Sequence, residues 1–203
     1  MSLTFNAASH RYDLDGARLP SVTSILRPLQ DFGSVPADVL SAAAEFGSAV
    51  HLACELHDQG DLDTDTLDPA LMPYLTAWQA FCREHDARWE MIEQPLYHTV
   101  LRYAGTLDRF GLVDGIPAVV DLKTTARLYP VVGPQLAAYQ HALQSHNVQA
   151  LRRLAVQLRE DGTYHAQEYM DTTDWPLFCS LLTVRGWCQR HRLNTPNLTH
   201  TDD

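Results

Sequence analysis

Val119-Val120-Asp121-Leu122-Lys123-Thr124 closes a nearly continuous apolar run from Ile116, and the reading of that run decides the fold. A strand with no polar face suits the middle of a sheet covered by helices on both sides. Residues two apart in a strand point the same way, so Asp121 and Lys123 face one site. Just upstream, Tyr103-Ala104-Gly105-Thr106-Leu107-Asp108-Arg109-Phe110 reads as a second interior strand, with a turn at Asp114-Gly115 between the two. Asp108 lies six residues before Asp114, and Asp121 six after Gly115, so the carboxylates come together across the ladder. Side by side they repel unless a cation joins them, and Mg²⁺ or Mn²⁺ suits oxygen ligands.

Working outward, Trp89 to Val100 gives another strand before the hairpin, and Pro130 to Asn147 a helix after it. Leu151 to Leu158 and residues 164 to 169 read as two further strands, and residues 173 to 191 as a last helix. Before the sheet, Tyr12 to Pro20 reads as a short hairpin turning at Asp15-Gly16, and Ser21 or Thr23 can cap a short helix through Leu26. Residues 37 to 58 are Ala-rich, with Val39, Leu40, Ala43, Phe46, Val50 and Ala53 as an apolar stripe. Gly47 lies inside that helix, where a close contact could compensate its cost. The five Asp residues at 58, 61, 63, 65 and 68 read as a solvated linker without the Gly and closing Glu of a calcium loop. Residues 69 to 86 give a second helix with Leu71, Leu75, Trp78 and Phe81 inward. The order is that of one mixed α/β domain.

The 203 residues carry a formal charge of -10, which argues against a simple binder of nucleic-acid backbone but not against an enzyme with metal in an acidic cleft. The 15 basic residues are fourteen Arg and a single Lys, Lys123, so a role that needs a compact amine falls there. Cys54, Cys82, Cys179 and Cys188 are scattered, which argues against a zinc site or a disulfide framework. No run approaches 18 apolar residues, and the first residues show no basic stretch before an apolar one. The expectation is a cytoplasmic protein with no membrane span.

Four short motifs stand in order: Gly47-x-x-x-His51, Gly105-Thr106-x-Asp108-Arg109, Asp121-x-Lys123-Thr124 and Gln135-x-x-x-Tyr139. In this series the chain resembles the PD-(D/E)xK nuclease superfamily, in its RecB-type exonuclease branch, from about residue 20 to 170. The resemblance implies a restriction-endonuclease-like core in a single nuclease domain, 1–203. Residues 1–88 would be mainly helical, 89–170 the catalytic sheet and helix, 171–192 a C-terminal helix, and 193–203 a flexible tail. It implies a Mg²⁺- or Mn²⁺-dependent DNA exonuclease leaving 5′-phosphate and 3′-hydroxyl ends, in recombination, repair or phage DNA processing. By position it makes His51, Asp108, Asp121 and the Leu122 carbonyl the metal ligands, and Lys123 the group that orients water and steadies phosphate charge. Gln135 and Tyr139 would contact DNA or support Lys123, and Glu93 matches an acid often found before the core hairpin.

The Cys spacing departs from the iron–sulfur members of this branch, so no iron–sulfur cluster is expected. No helicase motif is present, so a helicase or single-strand annealing partner would be a separate chain. Other readings stand beside these. The fold could serve a non-catalytic nucleic-acid-binding or assembly subunit, or a structure-dependent endonuclease. His51 could be an ordinary histidine at the core boundary, Asp121 merely the ion-pair partner of Lys123, and Gln135 and Tyr139 routine helix residues. The four Trp side chains suit packing better than base stacking, and the Arg residues at 185, 190 and 192 can complement a helix C-terminus.

Overall fold

The computed structural model describes residues 2–7, 9–30 and 35–194. Strands β1 (Leu3–Asn6), β2 (Arg11–Leu14) and β3 (Ala17–Leu19) form a small antiparallel sheet in that order. The β2–β3 turn falls on Asp15-Gly16, with φ of 50° and 82°, the left-handed pair that a two-residue hairpin of this twist needs. The Ser21 hydroxyl accepts from the Ser24 N–H at 3.1 Å and caps α1 (Val22–Leu26). Then come α2 (Ala37–Gln59), closed by left-handed Gly60 at φ 79°, and α3 (Met72–Glu84). The main sheet has β4 (Arg88–Tyr97), β5 (Ala104–Val113) and β6 (Ile116–Lys123), then β7 (Arg152–Leu158) and β8 (Tyr164–Glu168). Helix α4 (Val132–Ser145) joins β6 to β7, and α5 (Asp174–His191) closes the described chain.

The five strands lie in sequence order and pair antiparallel except β6 and β7, which run parallel. A parallel pair needs a long crossover, and α4 supplies it. This is the expected α/β architecture, a central mixed sheet flanked by helices. The apolar run on β6 serves both faces. Val119 joins the core under α1, α4 and α5, with Leu136, Tyr139 and Phe178. Val120 and Leu122 join the core under α2 and α3, with Val50, Trp78 and Phe81.

The structure departs from expectation in three places. Strand β1 alternates apolar and polar over only four residues, too short a run to announce it, and it extends the β2–β3 hairpin, so the segment before β4 holds a sheet as well as helices. On α2 the apolar stripe is only half used. Val50, Ala53 and Cys54 are buried, whereas Val39 is 52% exposed and Ala43 is also exposed, because the first turns of the helix stand away from the sheet. By length and composition alone α2 could cross a membrane, with a mean hydropathy of 1.2, but its second half is folded onto the sheet. Asp58 is the third departure. It belongs to the last turn of α2, with its side chain 4% exposed, and not to a solvated linker. Of the expected tail, 193–203, the part from residue 195 on lies outside the described residues.

Candidate active site

Strands β5 and β6 pair Val113 with Ile116 and Arg109 with Val120, the register that the turn count predicts. One step further on, where Asp108 would face Asp121, the ladder ends. The Asp108 carboxylate takes over there, its Oδ2 accepting from the Leu122 backbone N–H at 2.7 Å. Both carboxylates therefore meet at the end of the central strands, and both are buried.

Asp121 is held from two sides. Its Oδ1 accepts from Gln135 Nε2 on α4 at 2.8 Å. Its Oδ2 is ion-paired with Lys123 Nζ, 2.5 Å away. Burial pushes the Asp121 carboxyl above its ordinary range against the pull of Lys123, and the Asp108 charge adds to the rise. Burial works against the Lys123 charge too, but Asp121 and Asp108 outweigh it and hold the ammonium protonated above its usual range.

Helix α2 brings His51 to the same point. Its Nε2 lies 3.1 Å from the Leu122 carbonyl oxygen, and its Nδ1 3.3 Å from Glu93 Oε1 and 3.7 Å from Asp108 Oδ2. Burial disfavours the imidazolium, but Asp108 and Glu93 win and raise His51 to about 9. Gly47, one turn before His51, faces Thr124, and a Cβ there would meet Thr124 Oγ1 at an ordinary contact distance of 3.4 Å. On the opposite wall Tyr139 lies against Gly105, where a Cβ would stand 2.7 Å from the ring. Gly105 and Tyr139, from different motifs, are thus two halves of one contact.

Glu93 reaches the group through an unusual backbone. Its φ is 45°, left-handed in the middle of a strand and without a glycine. Such a conformation costs on the order of 1–3 kcal/mol and persists only where its surroundings hold it. It turns the carboxylate toward His51 and toward Arg109 Nη1, 3.1 Å away.

His51, Glu93, Asp108, Asp121, Lys123, Gln135 and Tyr139 all line one open cleft of about 400 Å³. Leu122 differs, since its side chain is fully buried and only its carbonyl reaches the site. Two placements add detail to the expected roles. Gln135 contacts Asp121 and not Lys123. The ligand atoms that gather within 4.8 Å of one another belong to His51, Glu93 and Asp108, a group that could hold a metal ion, while Asp121 is turned to Lys123 and Gln135. An imidazole, carboxylates and a backbone carbonyl together are donors that a divalent ion such as Mn²⁺ or Mg²⁺ accepts.

Arg109, which the motif includes without a role, and Asp58, expected in a solvated linker, also belong to this group. Arg109 is 0% exposed. Its Nε donates to Asp58 Oδ2 at 2.7 Å, and Nη1 donates to the Asp108 carbonyl at 2.7 Å as well as to Glu93. Trp78 Nε1 donates to both Asp58 oxygens at 3.0 Å. The available signal was a second charge, beside Asp108, in a strand that had to be interior.

No protein-family model and no curated protein matches the chain. Among solved structures, the alkaline exonuclease LHK-Exo from Laribacter hongkongensis overlaps 86% of this chain and 93% of its own, at 14% identity and a TM-score of 0.40. LHK-Exo in complex with dAMP overlaps the same shares, at 15% identity and a TM-score of 0.37.

Proposed function

We propose that this chain is a divalent-metal-dependent deoxyribonuclease that degrades DNA from its ends and leaves 5′-phosphate and 3′-hydroxyl termini. Its setting would be recombination, repair or phage DNA processing in the cytoplasm of a bacterial or phage-infected cell. The observation that carries the reading is the convergence of His51, Glu93, Asp108, Asp121 and Lys123 on one cleft at the end of β5 and β6. The exonucleolytic mode rests on the resemblance of the four motifs to the RecB-type branch.

His51, Asp108, Asp121 and the Leu122 carbonyl, joined by Glu93, would hold Mg²⁺ or Mn²⁺. Bound there, the ion would offset the carboxylate charge and polarise a phosphoryl oxygen. Lys123 would exchange its pairing with Asp121 for a phosphate oxygen, where negative charge grows during hydrolysis, and orient the attacking water. Gln135, by fixing one Asp121 oxygen, would keep the other aimed at the ion when Lys123 moves. Tyr139 would wall the cleft.

The test is incubation of linear and covalently closed circular DNA with the protein in Mg²⁺. Linear DNA should shorten from its ends while closed circles survive. Efficient cutting of closed circles would overturn the exonucleolytic mode. No cleavage of either, in Mg²⁺ or Mn²⁺, would overturn the nuclease.

A further inference from the structure

Behind the cleft lies a layer of buried charge that takes no part in the chemistry proposed above. Arg109 is fully buried and Asp58 almost so. Burying an ion pair gains little stability over apolar packing of the same volume, so its presence calls for another reason. The geometry supplies one. Asp58 and His51 lie seven residues apart on α2, two turns along one face. One end of that face meets the Leu122 carbonyl through His51, and the other meets Arg109 through Asp58. The same guanidinium reaches Glu93 on β4 and the backbone carbonyl of Asp108 on its own strand. It thus ties together the three elements that present His51, Glu93 and Asp108. Trp78 fixes the far end, donating to both Asp58 oxygens while its ring lies 5.6 Å from the guanidinium carbon. Glu93 is the member that most needs such a hold, since its left-handed backbone is not self-supporting.

We propose that Arg109 and Asp58 are positioning residues: Arg109, anchored by Asp58, sets the distance between His51, Glu93 and Asp108 and so their affinity for a divalent cation. This rests on the metal-dependent reading. A planar fork with donors in fixed directions can serve α2, β4 and β5 at once, which the single ammonium of a lysine cannot do.

The test is calorimetric titration of the full chain with Mn²⁺, a readout independent of DNA cleavage. Changing partners behind a metal site lowers metal affinity about 10- to 100-fold. Asp58→Asn keeps the shape and removes the charge, and Arg109→Lys keeps the charge and removes the fork. Each should weaken Mn²⁺ binding by that factor. Because Arg109 reaches the site partly through Glu93, the losses from Arg109→Lys and Glu93→Gln combined should be smaller than their product. Trp78→Phe removes the donor to Asp58 along with part of a buried ring, and should lower affinity in the same direction by less, which keeps the test open should Arg109→Lys not fold. Unchanged affinity in Asp58→Asn and Trp78→Phe, or losses from Arg109→Lys and Glu93→Gln that simply multiply, would overturn the positioning role and leave the metal site standing. Absence of Mn²⁺ binding by the wild-type chain would overturn the metal site and this role with it.

Discussion

Two strands each bury an arginine, and the two are used differently. On β7, Arg153 donates through Nη1 to Asp174 Oδ2 at 2.9 Å and through Nη2 to the Asp171 carbonyl at 2.9 Å. It ties the start of α5 to the sheet beneath the first turn of α4. Gly133 is required there, because a Cβ would meet Asp174 Oδ1 at 2.6 Å. None of Arg153, Asp171 and Asp174 lines the cleft. On β5, Arg109 also ties a helix to the sheet, but its third partner, Glu93, does line it. Burial of charge alone therefore does not mark a functional site. The marker is what the charge holds in place, scaffold in one case and candidate ligands in the other.

That contrast breaks most readily on the cleft side. Asp121→Ala should abolish cleavage while the chain stays folded. Lys123→Ala should lose on the order of 10²–10³ in single-turnover rate with Mn²⁺ affinity largely kept. Lys123→Arg should be comparably impaired, since a planar guanidinium cannot take the place of a compact amine. Near wild-type cleavage by Lys123→Arg would reduce Lys123 to a generic positive charge. On the scaffold side, Asp174→Ala leaves Arg153 buried without its carboxylate, which should cost about 3 kcal/mol of stability. The melting temperature should fall by roughly 6–12 °C, with cleavage rate below the melt and Mn²⁺ affinity unchanged. A large loss of Mn²⁺ affinity there would erase the distinction between the two arginines.

Smaller effects sharpen the picture of the walls. Gly105→Ala forces Tyr139 off its place and should cost about 1–3 kcal/mol by denaturant unfolding. Gly47→Ala meets Thr124 only at ordinary contact distance, and a helical Ala is better than Gly. It should shift stability by no more than about 1 kcal/mol, in the stabilising direction.

Much of this arrangement is legible in the sequence, and the reasons are local. The Asp114-Gly115 turn fixes the β5–β6 register, so counting outward brings Asp108 and Asp121 together, and the unbroken apolar run marks β6 as central. What escapes is nonlocal or backbone-specific. Asp58 heads a run of Asp residues that faces water, and only its distant partners, Trp78 and Arg109, reveal it as buried. Glu93 stands among the candidate residues, but the left-handed turn there has no glycine to announce it, so β4 does not tell that its carboxylate turns to His51 and Asp108. The projecting first half of α2 carries the same apolar periodicity as the packed half, because periodicity says which face is apolar and not whether anything covers it.

Whether the carboxylates at the end of β5 and β6 hold a catalytic divalent ion is tested most directly by single-turnover cleavage of an end-labelled linear duplex in Mg²⁺, by the wild type, Asp108→Asn and Asp174→Asn, each with and without EDTA. The wild type and Asp174→Asn should cleave at similar rates below their melting temperatures. EDTA should stop both, and Asp108→Asn, though folded, should fall by at least a factor on the order of 10². Cleavage that persists in EDTA, or an Asp108→Asn protein as fast as the wild type, would contradict a catalytic ion held there.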